Sequence, residues 1–350
     1  MARNRSTEID SALLAQVAAH PTDLTRVVAD AVGVTRQAVA TRVRALVDAG
    51  YLSKSGTTRP TYQPGLKRDA EFTYPLHGLA EDQVWTRDVA PLLQGAPREV
   101  VDICHYGLTE MVNNAVDHSE GTSVAVRVAR DSERITIGIS DDGIGIFRKI
   151  ARAFDLPDER LALLELAKGK LTTDPRRHSG EGVFFTSRMF DRFQILSGEL
   201  LFDHDDREPE DWLLDMDDHK GGTDVFMQIV LDSTRVMAEV YAQYSSGPDD
   251  YTFARTVVPV RLAKAGDENL VSRSQAKRLM LRVDGFRVVV LDFADVNRIG
   301  QAFADEVFRV FANEHPDIEL QSIHAVPEVQ QMIRRAEVAR EDSSDQLRLL

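Results

Sequence analysis

The stretch ITIGISDDGIGI, residues 135–146, decides how this chain is built. Ile135, Ile137 and Ile139 alternate with smaller or polar residues, which predicts a strand with one apolar face. Asp141 keeps the same parity, so its carboxylate points where the isoleucines point, into the interior. A buried carboxylate is costly unless a hydrogen-bond donor meets it. Gly143 and Gly145 follow at once and let the backbone turn closely around something.

Upstream, residues 98–117 read as a helix with two faces. Leu108, Met111, Val112 and Ala115 repeat at helical spacing and form the core side. Glu110, Asn113, Asn114 and Asp117 fall within about 100° of one another on the other side, with no lysine among them. Downstream, Gly180-Glu181-Gly182 opens a helix at Val183, a glycine turn before a helix N-terminus and so a ready anion site. Gly221-Gly222-Thr223 then precedes a strand over 225–230.

Each element alone has an ordinary structural explanation; their order is the signal. Glu110-x-x-x-Asn114-Ala115, Asp141-x-Gly143-x-Gly145, Gly180-x-Gly182 and Gly222-Thr223 resemble, in sequence order, the four boxes of the GHKL superfamily. That superfamily includes type II topoisomerases, sensor histidine kinases, mismatch-repair ATPases and anti-sigma-factor kinases. The resemblance implies an ATP site. Asp141 would accept the adenine amino group, and Thr223 would lie beneath the base. Asn114 would help hold Mg²⁺, whose other ligands would be phosphate oxygens and water. Glu110 would act as the general base. Gly143 and Gly145 would let the backbone approach the base, and Gly180 and Gly182 would offer amides to the phosphates. Residues 147–179 would form the ATP lid, with Lys168, Lys170, Arg176, Arg177 and His178 as candidate phosphate contacts. His118 resembles the histidine of the Asn-Ala-x-x-His pattern in anti-sigma kinases, although a helix C-terminal histidine facing the dipole fits it as well.

The first 68 residues hold ten Lys/Arg against five Asp/Glu, a net of +5 in a chain of −14. That asymmetry suits one segment that meets a polyanion. Residues 8–20 and 22–31 read as helices, Gly33 as a tight turn, and Thr35 as the N-cap of a third helix reaching Ala49. A short hairpin turning at Gly56 follows. Val39, Val43, Leu46 and Val47 form the third helix's buried stripe. Gln37, Thr41 and Arg44 lie opposite, flanked by Arg36 and Arg42. The layout resembles the winged helix-turn-helix regulators, which implies DNA contact through these five residues.

The final segment alternates strand and helix. A β-branched run at 287–293 leads through Asp295-Val296-Asn297-Arg298-Ile299-Gly300 into an amphipathic helix carrying Phe303, Val307 and Phe311. This resembles STAS-like α/β domains. Anti-anti-sigma STAS proteins carry a phosphorylated serine at that junction; here it reads Arg298-Ile299-Gly300-Gln301-Ala302. Ser272 and Ser274 read as helix-start residues.

The expected fold class is therefore multidomain α+β. A winged helix (1–65), a junction (66–97), a GHKL two-layer α/β sandwich or Bergerat fold (98–235) and a small STAS-like α/β domain (255–345) follow one another. Residues 199–218 carry ten acids and one arginine, and read as an acidic hairpin inserted before the last box. Cys104 is the only cysteine, which excludes intrachain disulfides. No apolar run approaches membrane-spanning length, and the N-terminus lacks a signal-peptide core, so a cytoplasmic site is expected.

Three functions are compatible with this order. The first is a bacterial regulator that binds ATP with Mg²⁺, hydrolyses it slowly, and uses nucleotide state to control DNA binding or assembly. The second is an anti-sigma-type serine/threonine kinase acting on a STAS partner. The third is a non-enzymatic ATP-dependent clamp or scaffold in signalling or phage defence. A protein partner for the C-terminal domain and a homodimer are compatible with all three. A sensor histidine kinase is not expected, because residues 66–97 are too short and proline-rich for an acceptor hairpin.

Overall fold

The computed structural model describes residues 2–171, 180–207, 212–215, 221–247, 250–264 and 269–348. It begins with three helices, α1 (Ala2–Gln16), α2 (Leu24–Val32) and α3 (Arg36–Asp48), and a hairpin of β1 (Leu52–Ser55) and β2 (Thr61–Pro64). Thr35 caps α3, its hydroxyl accepting from the Ala38 N–H at 3.2 Å. Gly33 ends α2 in the left-handed region at φ 69°, the turn its position predicts. Ile9, Leu13, Val17, Leu24, Val28, Val39, Val43, Leu46 and Leu52 make a core of their own.

The next body is a sheet with strand order β3-β4-β5-β9-β6-β7-β8. Its strands are β3 (Arg68–Pro75), β4 (Ser123–Arg130), β5 (Arg134–Asp141), β6 (Arg192–Ser197), β7 (Leu200–Asp205), β8 (Trp212–Asp215) and β9 (Thr223–Val230). Every neighbouring pair is antiparallel. The sheet buries Val124, Val126, Ile135, Ile137, Ile139, Phe193, Ile195, Met227 and Ile229. Onto them pack Ile103, Cys104, Leu108 and Val112 of α4 (Arg98–His118). Three further helices complete the layer: α5 (Ile146–Ala153), α6 (Arg160–Lys168) and α7 (Gly182–Met189).

Residues 66–97 are more than the expected junction. They supply β3, an edge strand whose partner is β4, and helical turns between Glu81 and Leu93 that bury Val84, Val89 and Leu93. Apart from the buried Tyr74, the strand alternates exposed and half-buried residues, so hydrophobicity alone hides it. The acidic stretch contributes β7 and β8, which extend the opposite edge.

α8 (Met237–Gln243) and a small hairpin of β10 (Ser245–Gly247) and β11 (Asp250–Phe253) lead into a parallel sheet in the order β12-β13-β14. Its strands are β12 (Arg255–Pro259), β13 (Val288–Asp292) and β14 (Glu319–Ile323). The helices around it include α9 (Arg273–Met280), α10 (Gln301–Asp305) and α11 (Pro327–Arg348). Ser272 starts α9 through a capping box with Gln275, as its position suggests. The apolar interior of this unit is continuous with that of the antiparallel sheet: one cluster runs from Tyr74 to Ala336.

Candidate functional site

A cleft open to solvent lies between α4, the ends of β5 and β9, and helices α5, α6 and α7. Its lining brings together Glu110, Asn114, Asp141, Gly180, Gly182 and Thr223. Glu110, Asn114 and His118 are spaced four apart on α4, so they stack on one face of the helix. Asp141 and Thr223 end adjacent strands and stand opposite each other. Ile139, Ile146, Ile150, Leu166 and Val225 supply an apolar wall.

The Asp141 carboxyl titrates above its ordinary value because it is largely buried. The Gly143 N–H, donating to Oδ1 at 2.9 Å, pulls in the other direction. Thr223 is buried, and its hydroxyl accepts from the Ile146 N–H at 3.0 Å, tying β9 to the start of α5. The phenol of Tyr106, one turn before Glu110, is pushed far up by burial and by the Glu110 carboxylate.

Close approach requires glycine at several positions of the site. A Cβ on Gly143 would sit 2.1 Å from the Ser119 carbonyl, where the glycine turn crosses the end of α4. A Cβ on Gly182 would sit 2.0 Å from Glu110 Oε2, so the helix start and the carboxylate share one space. Gly145 caps α5 and, like Gly143, shapes the turn beside the cleft rather than lining it.

Sequence reading overlooked two residues here. Lys149 lines the cleft and its Nζ lies 3.0 Å from Glu120 Oε1. It falls three residues after Ile146 on the same helix face, a spacing that could have marked it. Asp142 staples the loop to β4, accepting from the backbone N–H and hydroxyl of both Thr122 and Ser123. Those bonds hold its carboxyl well below the usual range.

Two of the candidate phosphate contacts are engaged elsewhere. Lys168 and Lys170 donate to carbonyls of the C-terminal unit and do not line the cleft. Arg176, Arg177 and His178 lie outside the described residues. On α3, Arg36, Gln37, Thr41 and Arg44 are exposed. Arg42 instead turns back to α1, its Nε donating to Asp10 Oδ1 at 2.8 Å. Lys54 and Arg59 are exposed on the hairpin beside α3.

Among the described residues no group of three or more His, Cys, Asp or Glu could hold a metal ion alone. Mg²⁺ takes one or two protein oxygens and completes its shell with phosphate and water. The Asn114 side chain is suited to that part: it lines the cleft, and its amide nitrogen makes only a long 3.9 Å contact to Met111 Sδ.

Residues 81–200 match the family model of the histidine kinase-like ATPase domain. The chain therefore contains a GHKL ATPase domain, a class that binds ATP, usually with Mg²⁺. Residues 275–330 match the STAS-like domain of unknown function DUF4325, so the parallel-sheet unit is STAS-like. No curated protein matches the chain. No helix among the described residues is long and apolar enough to cross a membrane.

Proposed function

We propose that this protein is an ATP-binding regulator whose nucleotide state controls its attachment to DNA. The observation that carries the ATP half is the convergence of Glu110, Asn114, Asp141, Gly180, Gly182 and Thr223 on one cleft. Asp141 accepts from the adenine amino group. Asn114, with phosphate oxygens and water, would hold Mg²⁺, which would supply positive charge against the phosphates. Gly180 and Gly182 let the chain approach the phosphates. Glu110 orients and deprotonates a water for slow hydrolysis.

The DNA half rests on the exposed face of α3. Arg36, Gln37, Thr41 and Arg44 project from a three-helix unit with a hairpin, the arrangement of a winged helix-turn-helix. Arg42 supports that face from behind through Asp10. The connection to the ATPase domain is short and tied at both ends. Gly65 N–H donates to the Tyr51 carbonyl and Lys67 N–H to the Gly50 carbonyl, while Arg68 Nη1 donates to the Leu92 carbonyl. A change in the ATPase domain is therefore passed to the head without a slack tether.

The test is promoter-fragment binding without nucleotide, with ATP, with ADP, and with Glu110→Ala, alongside the fate of the γ-phosphate. Nucleotide-dependent DNA binding with release of free phosphate supports the reading. Identical DNA binding in all four states removes the coupling. Label transferred to a protein band would mark a kinase instead.

A further inference from the structure

Helix α6 has two partners. Leu166 lines the nucleotide cleft. Lys168, about 200° around the helix from Leu166, faces away from it. The Lys168 side chain is 1% exposed. Its Nζ donates to Glu165 Oε1 at 2.8 Å, to the Leu281 carbonyl at 2.8 Å and to the Arg278 carbonyl at 3.1 Å. The two carbonyls belong to the C-terminal end of α9, where the helix dipole favours a cation. Glu165 is shared, its Oε2 accepting from Arg282 Nη1 at 3.0 Å. The Arg282 guanidinium also lies 3.8 Å from the centre of the Phe154 ring.

The grip continues along the chain. Thr256 of β12, fully buried, donates its hydroxyl to the Lys168 carbonyl at 2.7 Å. Lys170 Nζ donates to the Gly285 carbonyl at 2.9 Å and lies 4.6 Å from the centre of the Phe286 ring. The STAS-like unit thus holds Glu165 and Lys168 through charges withdrawn from water, with Lys170 adding a more exposed contact. Buried charges are strongly destabilising when unpartnered, so the contact tends to be fully made or fully lost.

We infer that the STAS-like domain is the positioning element of the nucleotide pocket: it fixes the outer side of α6, whose inner side is pocket wall, so nucleotide binding and interdomain docking are coupled. This rests on the reading that the cleft takes ATP. Lys168, Glu165 and Arg282 are positioning residues; they reach the nucleotide only through α6. Coupling is reciprocal, so ATP must tighten the docked interface by the factor by which docking tightens ATP.

The experiment uses the full chain and two variants, Lys168→Met and Arg282→Gly. Arg282 has φ +59°, a left-handed conformation that glycine adopts freely, so this change removes the guanidinium without straining the backbone. Folding is checked by circular dichroism. Affinity is read with trinitrophenyl-ATP, and amide exchange of residues 278–285 is followed with and without ATP. Both variants should bind the nucleotide about tenfold more weakly, within the usual range of coupling. In the unaltered protein ATP should slow exchange at 278–285, and the variants should lose that protection. Should Lys168→Met fail to fold, Arg282→Gly decides alone. Unchanged affinity in a folded Arg282→Gly protein, or protection confined to the cleft, overturns the coupling and leaves ATP binding standing. Absence of nucleotide binding by the unaltered protein overturns both.

Discussion

Asp141 and Thr223 face each other across the antiparallel pairing of β5 with β9, at the end of each strand nearest the cleft. One offers a carboxylate, the other a hydroxyl already bonded to the first turn of α5. The pair joins the sheet floor to the helical wall, and loss of either side chain should be felt as loss of nucleotide.

Asp141→Asn keeps the shape but replaces the charged acceptor. A hydrogen bond to a charged group contributes about 1.5–3 kcal/mol, so nucleotide affinity should fall roughly tenfold to 150-fold. Titration with trinitrophenyl-ATP measures it. An unchanged Kd would remove Asp141 from adenine recognition.

The pH dependence follows from the same residue. Burial raises the Asp141 pKa above 3.8 in the folded protein. A carboxyl with a raised folded pKa stabilises the fold below its unfolded pKa, and that contribution is lost as pH rises through the folded pKa. Nucleotide binding needs the ionised form and should run the opposite way, weakening as pH falls towards that raised value. Kd measured as pH is lowered from neutrality should show the decline, and Asp141→Asn should flatten it.

Glu110→Ala should separate binding from turnover. General-base assistance is worth about 10²–10⁴-fold, so phosphate release should fall by that order while Kd moves little. A phosphate-release assay beside a binding titration checks both. Equal loss in the two would contradict the assigned role.

Gly182→Ala places a methyl where Glu110 Oε2 now lies. It should lower turnover by displacing that carboxylate. In the Glu110→Ala background it should cost much less, because the space is then free. The double-mutant cycle is the measurement, and strict additivity would refute the shared-space account.

On the N-terminal unit, Arg36→Ala or Arg44→Ala should weaken DNA binding and lower its salt slope by about one each where a phosphate is contacted. Arg42→Ala should act differently. Its partly exposed pair with Asp10 is worth about 0.2–1 kcal/mol, so it should lower the melting temperature of this unit slightly. Salt titrations of DNA binding and a thermal melt separate the two effects.

Much of the cleft is legible in the sequence because local rules write it. The parity of Asp141 with Ile135, Ile137 and Ile139 sends its carboxylate inward, and four-residue spacing stacks Glu110 beneath Asn114. Lys168 and Lys170 illustrate the opposite case. As charges in a polar insertion they look like phosphate ligands, yet their acceptors lie more than a hundred residues away at 278, 281 and 285. Nothing local to 168–170 encodes the return of the chain. β3 is hidden for another reason: an edge strand with one partner need not be strongly apolar.

The two hydrophobic interiors divide the molecule unequally. The N-terminal unit closes on itself, whereas the ATPase and STAS-like parts are cut from one piece. A head with its own interior can be exchanged for another without disturbing the packing of what lies beneath. The tail cannot: severing it would strip the outer support from α6 and expose apolar surface along the cut. In recombination between related genes, the head is thus the portable part, and the remaining two domains travel together.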